Sequence, residues 1–286
     1  MELLPTLIAL VAALALTPPI LRHLEREGFA RENWRGVVVP FPAGVAIVAA
    51  IVVALIPSVV LDRIFQDYNA FAEDPTDVLV YGTSLIGCYL LGVALLGLID
   101  DGLAGSSRGW RGHGAAVLRG EFSTGALKAV GSLGLALLVL GEIADDTGDL
   151  ILMTALVVLT TNLFNLLDLR PGRAAKAFAL LGLGLVVGAW SLDQLELFGV
   201  FAAPALVVGL HDLRERAMLG DTGANLIGGI AGLWMALQFD TTGQLIALAV
   251  VLALTVYGEF RSLNALIERT PLLRQIDSIG RNDAHA

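Results

Sequence analysis

The sequence predicts an all-α protein that crosses a membrane about nine times, and three observations carry the prediction. Apolar residues fall in runs of roughly 20, the length a helix needs to cross about 30 Å of hydrocarbon. Only 16% of the 286 residues are charged and 56% are hydrophobic, with a mean hydropathy of +0.76; soluble domains carry about 25% charge. Lysine and arginine are also segregated into alternate connections between the runs.

The first run, 3–22, occupies the place of a secretory signal. Such a signal opens with basic residues, whereas the first basic residue here is Arg22, so the run is expected to be the first membrane helix. Further runs follow at 40–61, 77–99, 125–142, 150–167, 174–192, 195–211, 223–239 and 243–260. The connections 22–36, 100–124, 168–173 and 212–221, with the segment 261–286, hold or flank every Lys and Arg of the 18 except Arg63. The positive-inside rule places this set in the cytoplasm, the N-terminus outside and the C-terminus inside. Residues 1–261 then form one transmembrane domain. The segment 262–286 forms a cytoplasmic tail, its Leu263, Leu266, Ile267, Leu273 and Ile276 spaced as in a surface-lying amphipathic helix. Close glycines (Gly182, Gly184, Gly188; Gly228, Gly229, Gly232) read as sites of tight helix packing in lipid. Cys88, the single cysteine, excludes an intrachain disulfide and a cysteine-rich metal site.

The acidic residues form a pattern on this topology. Asp100 and Asp101 end the third run, Asp168 the fifth and Asp212 the seventh. Each lies at a helix C-terminus, where a carboxylate costs roughly 0.3–1 kcal/mol against the macrodipole. Adjacent carboxylates there call for a cation or a cationic side chain. Asp221, in Gly220-Asp221-Thr222-Gly223, reads locally as the N-cap of the eighth helix. Arg108, Arg111, Arg119, Arg170, Arg173, Arg214 and Arg216, with Lys128 and Lys176, share the same face. Each alone can be a topology determinant or a lipid-headgroup contact. Carboxylates and guanidinium groups together are what a Mg²⁺–diphosphate site needs. His113 and His211 lie on that face, and the four histidines form no metal motif.

Leu98-Ile99-Asp100-Asp101, Asn162-x-x-Asn165-x-x-Asp168 and Gly220-Asp221-Thr222-Gly223-Ala224 occur in order at cytoplasmic helix ends. With Arg31-x-Asn33-x-x-Gly36-x-x-x-Pro40 and Arg111-Gly-His113, this set resembles the polyprenyl-phosphate N-acetylhexosamine-1-phosphate transferases (glycosyltransferase family 4). That family includes phospho-N-acetylmuramoyl-pentapeptide transferase and the undecaprenyl-phosphate GlcNAc-1-phosphate transferases. The resemblance implies a bacterial inner-membrane enzyme, acting on a UDP-sugar and a polyprenyl phosphate such as undecaprenyl phosphate, releasing UMP and starting a cell-envelope polymer. It implies Asp221 as ligand of Mg²⁺, with Mn²⁺ as a substitute, and Asp100, Asp101 and Asp168 as catalytic carboxylates. Asn33, Lys128, Asn165, Arg170, Arg173, His211 and Arg214 would bind substrate. It also points to a homodimer among membrane lipids, and no nucleic-acid partner is expected.

The chain departs from the family at Leu169 and Pro171, where family members carry Gly and Asp, and in 211–217, which lacks the usual Asn and Pro-Ala. A His-rich loop and a tenth helix are also not found. The Leu-Arg-Pro-Gly-Arg run is expected to form a stiff turn that aims Arg170 and Arg173 at phosphate. Two other readings stay open: a catalytically silent scaffold or regulator, and a transporter, which would keep ionisable residues near mid-bilayer.

Overall fold

The computed structural model describes residues 3–68, 77–103, 118–120, 122–190 and 192–280. Among them are nine long helices: α1 (Leu4–Arg26), α2 (Gly44–Tyr68), α3 (Asp77–Leu103), α4 (Thr124–Leu140), α5 (Thr147–Leu167), α6 (Arg173–Ala189), α7 (Asp193–Leu213), α8 (Gly220–Gln238) and α9 (Thr241–Phe260). Two short ones follow, α10 (Leu263–Arg269) and α11 (Pro271–Ser278). Among the described residues, four stretches are long and apolar enough to cross a membrane: Leu4–Arg26, Ser84–Leu103, Thr147–Leu167 and Thr241–Phe260. Gly44–Pro57, Thr124–Leu140 and Leu197–Leu213 are apolar but shorter. Their outward faces, among them Val11, Leu14, Val130, Ile151 and Ile246, are exposed hydrophobic surface. Contiguous apolar surface of this kind is what lipid covers. The chain is an all-helical membrane protein.

Several helix starts follow from local sequence. Ser123 caps α4 through Ala126 N–H (3.2 Å), Asp146 caps α5 through Asp149 N–H (2.9 Å), and Asp240 caps α9 through Gly243 N–H (2.8 Å). Each side-chain oxygen satisfies a backbone donor that a helix N-terminus leaves unpaired. Helix α8 has no such residue of its own. It is also the central helix, buried along almost its whole length, whereas only 22% of the apolar window of α1 or α9 is buried. Gly228 and Gly232 let α8 approach α5 closely. A Cβ at Gly228 would lie 2.8 Å from Thr161 Cα, and one at Gly232 2.9 Å from Val157 Cα. The packing role expected of the glycines therefore holds for this pair. It does not hold for Gly184 and Gly188, which have open space where a Cβ would stand.

The structure adds a small element to the expected all-α fold. Residues Ala30–Glu32 (β1) and Val38–Pro40 (β2) pair antiparallel, with Arg31 opposite Val39. This hairpin delays α2 to Gly44, beyond the expected start near 40. Its exit is stitched to the segment before α8: Met218 N–H donates to Pro40 C=O (3.0 Å), Ala43 N–H to Met218 C=O (2.8 Å) and Gly44 N–H to Leu219 C=O (3.0 Å).

The C-terminal segment forms the two helices α10 and α11, with a break at Thr270–Pro271 in place of a continuous helix. Asp277 accepts from both Nε and Nη2 of Arg173 at 3.0 Å, and Asn264 accepts from Arg173 Nη1 at 2.5 Å. The Lys176 ammonium donates to the carbonyls of Ile276, Asp277 and Ile279, at the C-terminal end of α11. The tail is thus strapped to the start of α6.

Candidate functional site

The site lies at one end of the bundle, where α3, α5 and α7 end and α4, α6 and α8 begin. Its framework is an exchange between α3 and α8. Asp101 Oδ1 accepts from Asp221 N–H (2.9 Å), and Asp101 Oδ2 accepts from Thr222 N–H (2.9 Å) and Thr222 Oγ1 (2.7 Å). A carboxylate from α3 therefore caps α8, and the positive end of the α8 dipole faces the buried charge. The Asp101 carbonyl, at the exposed-dipole end of α3, accepts from Arg31 Nη2 at 2.6 Å. The same guanidinium lies 3.9 Å above the centre of the Phe41 ring. These contacts explain how acidic residues persist at a helix C-terminus.

Asp221 is accordingly not the N-cap that its local sequence indicates. Helix α8 starts at Gly220, and the Asp221 side chain turns toward α4 and α5. Lys128 donates to Asp221 Oδ2 and, at 3.0 Å, to Asp100 Oδ2. The cationic side chain that the acidic pair requires is thus Lys128. Asn165 completes the cluster when its amide is oriented by its neighbours, with Nδ2 donating to Asp221 Oδ1 and Oδ1 accepting from Lys128 Nζ, both at 2.9 Å.

Two clefts meet at this cluster. A polar one of about 220 Å³ is lined by Arg31, Asn33, Trp34, Asp101, Asp168, Arg170, Asp212 and Asp221, among others. A mostly apolar one of about 390 Å³ lies between α4, α5, α8 and α9, and Lys128 and Asn165 line it. In the polar cleft, Asp212 Oδ2 accepts from Gly172 N–H (2.7 Å) and so anchors the 168–173 turn. Gly172 itself has φ +70°, and a Cβ there would lie 2.8 Å from Leu213 Cα. Burial, and then the charges of Asp212, Asp221 and Asp101, hold the Asp168 carboxyl well above the usual carboxylate range.

That mutual repulsion is the structural argument for a cation. Among the described residues no three His, Cys, Asp or Glu side chains converge as a ready-made metal site. Mg²⁺ does not require one, since it is typically held by one or two carboxylates with substrate phosphates and water. Asp221 and Asp168, lining one cleft, fit that donor set. Both oxygens of Asp101 accept from the start of α8, which they cap, whereas those of Asp221 accept from the side-chain ends of Lys128 and Asn165, which a cation would displace without uncapping a helix.

The remaining expected residues divide. Arg170 lines the polar cleft, its guanidinium 4.3 Å from the Trp34 ring centre and 3.8 Å from Glu268. Arg173, expected beside it, is buried and turned the other way, onto Asp277 and Asn264; the Pro171–Gly172 turn aims one of the two arginines at the cleft. Asn33 lines the cleft but serves first as a turn former. Its Oδ1 accepts from Arg35 N–H (2.9 Å) and Val37 N–H (3.1 Å), while its Nδ2 is buried without a partner. His211 and Arg214, in the last turn and at the C-cap of α7, line neither cleft. Arg108, Arg111 and His113 lie outside the described residues. The sequence reading missed Thr222, Trp34 and Gly97. Only Thr222 carried a signal, its place inside the Gly-Asp-Thr-Gly motif.

No protein-family model matches the chain, and no match to it is found among curated proteins.

Gly97 sets how closely α3 and α8 approach, because a Cβ there would lie 2.6 Å from Thr222 N. Gly97→Ala is expected to destabilise the protein by about 1–3 kcal/mol, the usual cost of forcing extra volume into a packed contact. Gly102→Ala, with open space around it, should be neutral. Thermal unfolding of the two variants in detergent checks this; equal melting would show that the α3–α8 approach is not tight.

Proposed function

We propose that the chain transfers a sugar-1-phosphate, of an N-acetylhexosamine, from a UDP-sugar to a polyprenyl phosphate in the bacterial inner membrane. The observation that carries this reading is the meeting of an apolar and a polar cleft at the Lys128–Asn165–Asp221 cluster. Such an arrangement suits a reaction between a lipid-borne and a water-borne substrate, and it agrees with the motif resemblance. The nine helices α1 to α9 would be the nine spans, with the N-terminus outside and the site at the cytoplasmic face, where the basic residues concentrate.

The acceptor phosphate would lie in the apolar cleft against the Lys128 ammonium, which Asp100 holds from its other side. One phosphate oxygen attacks the β-phosphorus of the UDP-sugar. The bond from that phosphorus to the oxygen bridging the two phosphates breaks, and its electron pair leaves on UMP. The acceptor attacks as its phosphate dianion, the charge met by the Lys128 ammonium that Asp100 holds in place. Arg31 and Arg170 in the polar cleft offset the charge gathered on the departing phosphate. Mg²⁺, or Mn²⁺ in its place, held by Asp221 with Asp168 beside it, would supply charge neutralisation on the diphosphate. The scaffold reading is favoured by the burial of Arg173 under the tail. A transporter is disfavoured because the buried charges Asp101, Arg173 and Asp212 sit at helix ends.

The purified protein, given Mg²⁺, undecaprenyl phosphate and a panel of UDP-sugars, should release UMP. Asp100→Asn and Lys128→Met should each lower kcat/KM by about 10²–10⁴-fold. No release from any UDP-sugar by folded protein would leave the scaffold reading standing. For the orientation, single cysteines at positions 70, 115 and 280, in a Cys88→Ser background, can be treated with an impermeant thiol reagent in sealed right-side-out vesicles. Labelling is expected at 70 alone, and labelling at 115 or 280 would contradict the topology.

A further inference from the structure

The apolar cleft has polar residues on two levels. Lys128 and Asn165 line the first. Ser132, Asn162 and Asn225 also line the cleft, and each is three or four residues from a member of the cluster: Ser132 from Lys128, Asn162 from Asn165, and Asn225 from Asp221. Residues so spaced share a helix face, about one turn of 5.4 Å apart. All three lie on the bilayer side of their partners, since α4 and α8 run away from the site end and α5 runs toward it.

Asn225 is 1% exposed, and its Nδ2 has no hydrogen-bond partner; Asn162 Nδ2 is likewise buried and unpartnered. A buried polar group without a partner costs about 1–3 kcal/mol, and an apolar side chain would fill either position without that cost. Thr161, on the same wall, is in a different state, its hydroxyl donating to Val157 C=O (2.9 Å) and paired with Tyr89 (3.0 Å). Two amides buried without a partner beneath an ammonium leave hydrogen-bonding capacity that a ligand entering the cleft could use once the amides turn toward it, and the ammonium makes an anion the ligand that suits them. Glu259, at the last turn of α9, is the one carboxylate lining this cleft. It disfavours a small free anion, whereas the apolar wall of Ala129, Val158, Leu159 and Leu166 favours one carried on a hydrocarbon chain.

We infer that Asn225 and Asn162 form a second tier of donors that grips the oxygens of a lipid-borne phosphate monoester from below while Lys128 holds it from above. The inference rests on the acceptor-lipid reading of this cleft. Asn225 is a binding residue here, and it sets a preference for a phosphorylated over a neutral lipid.

The test is binding of farnesyl phosphate, farnesol and inorganic phosphate to the full chain in nanodiscs, for the native protein, Asn225→Leu and Asn225→Asp. The native protein should bind farnesyl phosphate far more tightly than farnesol, and inorganic phosphate should not compete. Asn225→Leu, which removes one hydrogen bond to a charged group, should weaken farnesyl phosphate about tenfold. Asn225→Asp, of nearly the same shape, should weaken it further by repulsion. Farnesol binding should stay unchanged in both, which a merely structural role of Asn225 would not allow. If Asn225→Leu does not fold, Asn162→Leu and Asn225→Asp give the same comparison. The inference is overturned if the variants bind farnesyl phosphate as tightly as the native chain, if they lose farnesol in parallel, or if inorganic phosphate competes equally. UMP release separates this outcome from the enzymatic reading. Phosphate-selective binding without turnover refutes the transferase alone, whereas turnover with unchanged lipid KM in Asn225→Leu refutes the second tier alone.

Discussion

The first turn of α8 has its backbone donors met from another helix, and the site is assembled around that fact. A helix N-terminus leaves N–H groups that must find acceptors, and α8 carries no side chain to supply them. Asp101 supplies them from the end of α3, taking both N–H groups of Asp221 and Thr222 and the Thr222 hydroxyl. The cap solves two problems together. It closes the most buried helix in the bundle, and it places a carboxylate at a helix C-terminus where the α8 dipole and Arg31 compensate it. Gly97 and Gly44 allow the approach, since a Cβ on either would collide with the α8 backbone.

The distribution of charge follows from that contact. With Asp101 engaged, Asp100 and Asp221 face each other across Lys128, and Asn165 closes the cluster. The excess of negative charge falls on the polar side, where Asp168 is crowded by Asp212, Asp221 and Asp101. Buried amides without a partner line both clefts, Asn33 the polar one and Asn162 and Asn225 the apolar one, where Lys128 lies above them. On the proposed function, one cleft would take a cation with a diphosphate and the other an anion with a hydrocarbon chain.

Much of this was legible in the sequence. The nine apolar runs correspond to α1 to α9, because a long run of apolar residues has few ways to bury or face lipid other than as helix. The motifs fell at one end because basic residues mark alternate connections. What the sequence hid was direction and partnership across long separations. Lys128 meets Asp221 over 93 residues, and Arg173 meets Asp277 over 104. Arg173, near the acidic motifs in sequence, faces the tail in space. Asp221 looked like a cap because Gly-Asp-Thr-Gly favours one locally, while the true cap lies 120 residues earlier. Asn225 gave no signal, since an isolated amide within an apolar run acquires meaning only when its neighbours and the cleft are known.

The most direct test of the account is a double-mutant cycle between Asp101→Asn and Thr222→Val, read as unfolding free energy in detergent. The cap predicts that each single change destabilises the protein and that the double change costs less than their sum, with a coupling of about 1–2 kcal/mol, typical of a buried hydrogen bond to a charged group. Strictly additive effects would show that Asp101 does not hold the start of α8, and the placement of Asp221 against Lys128 would lose its cause.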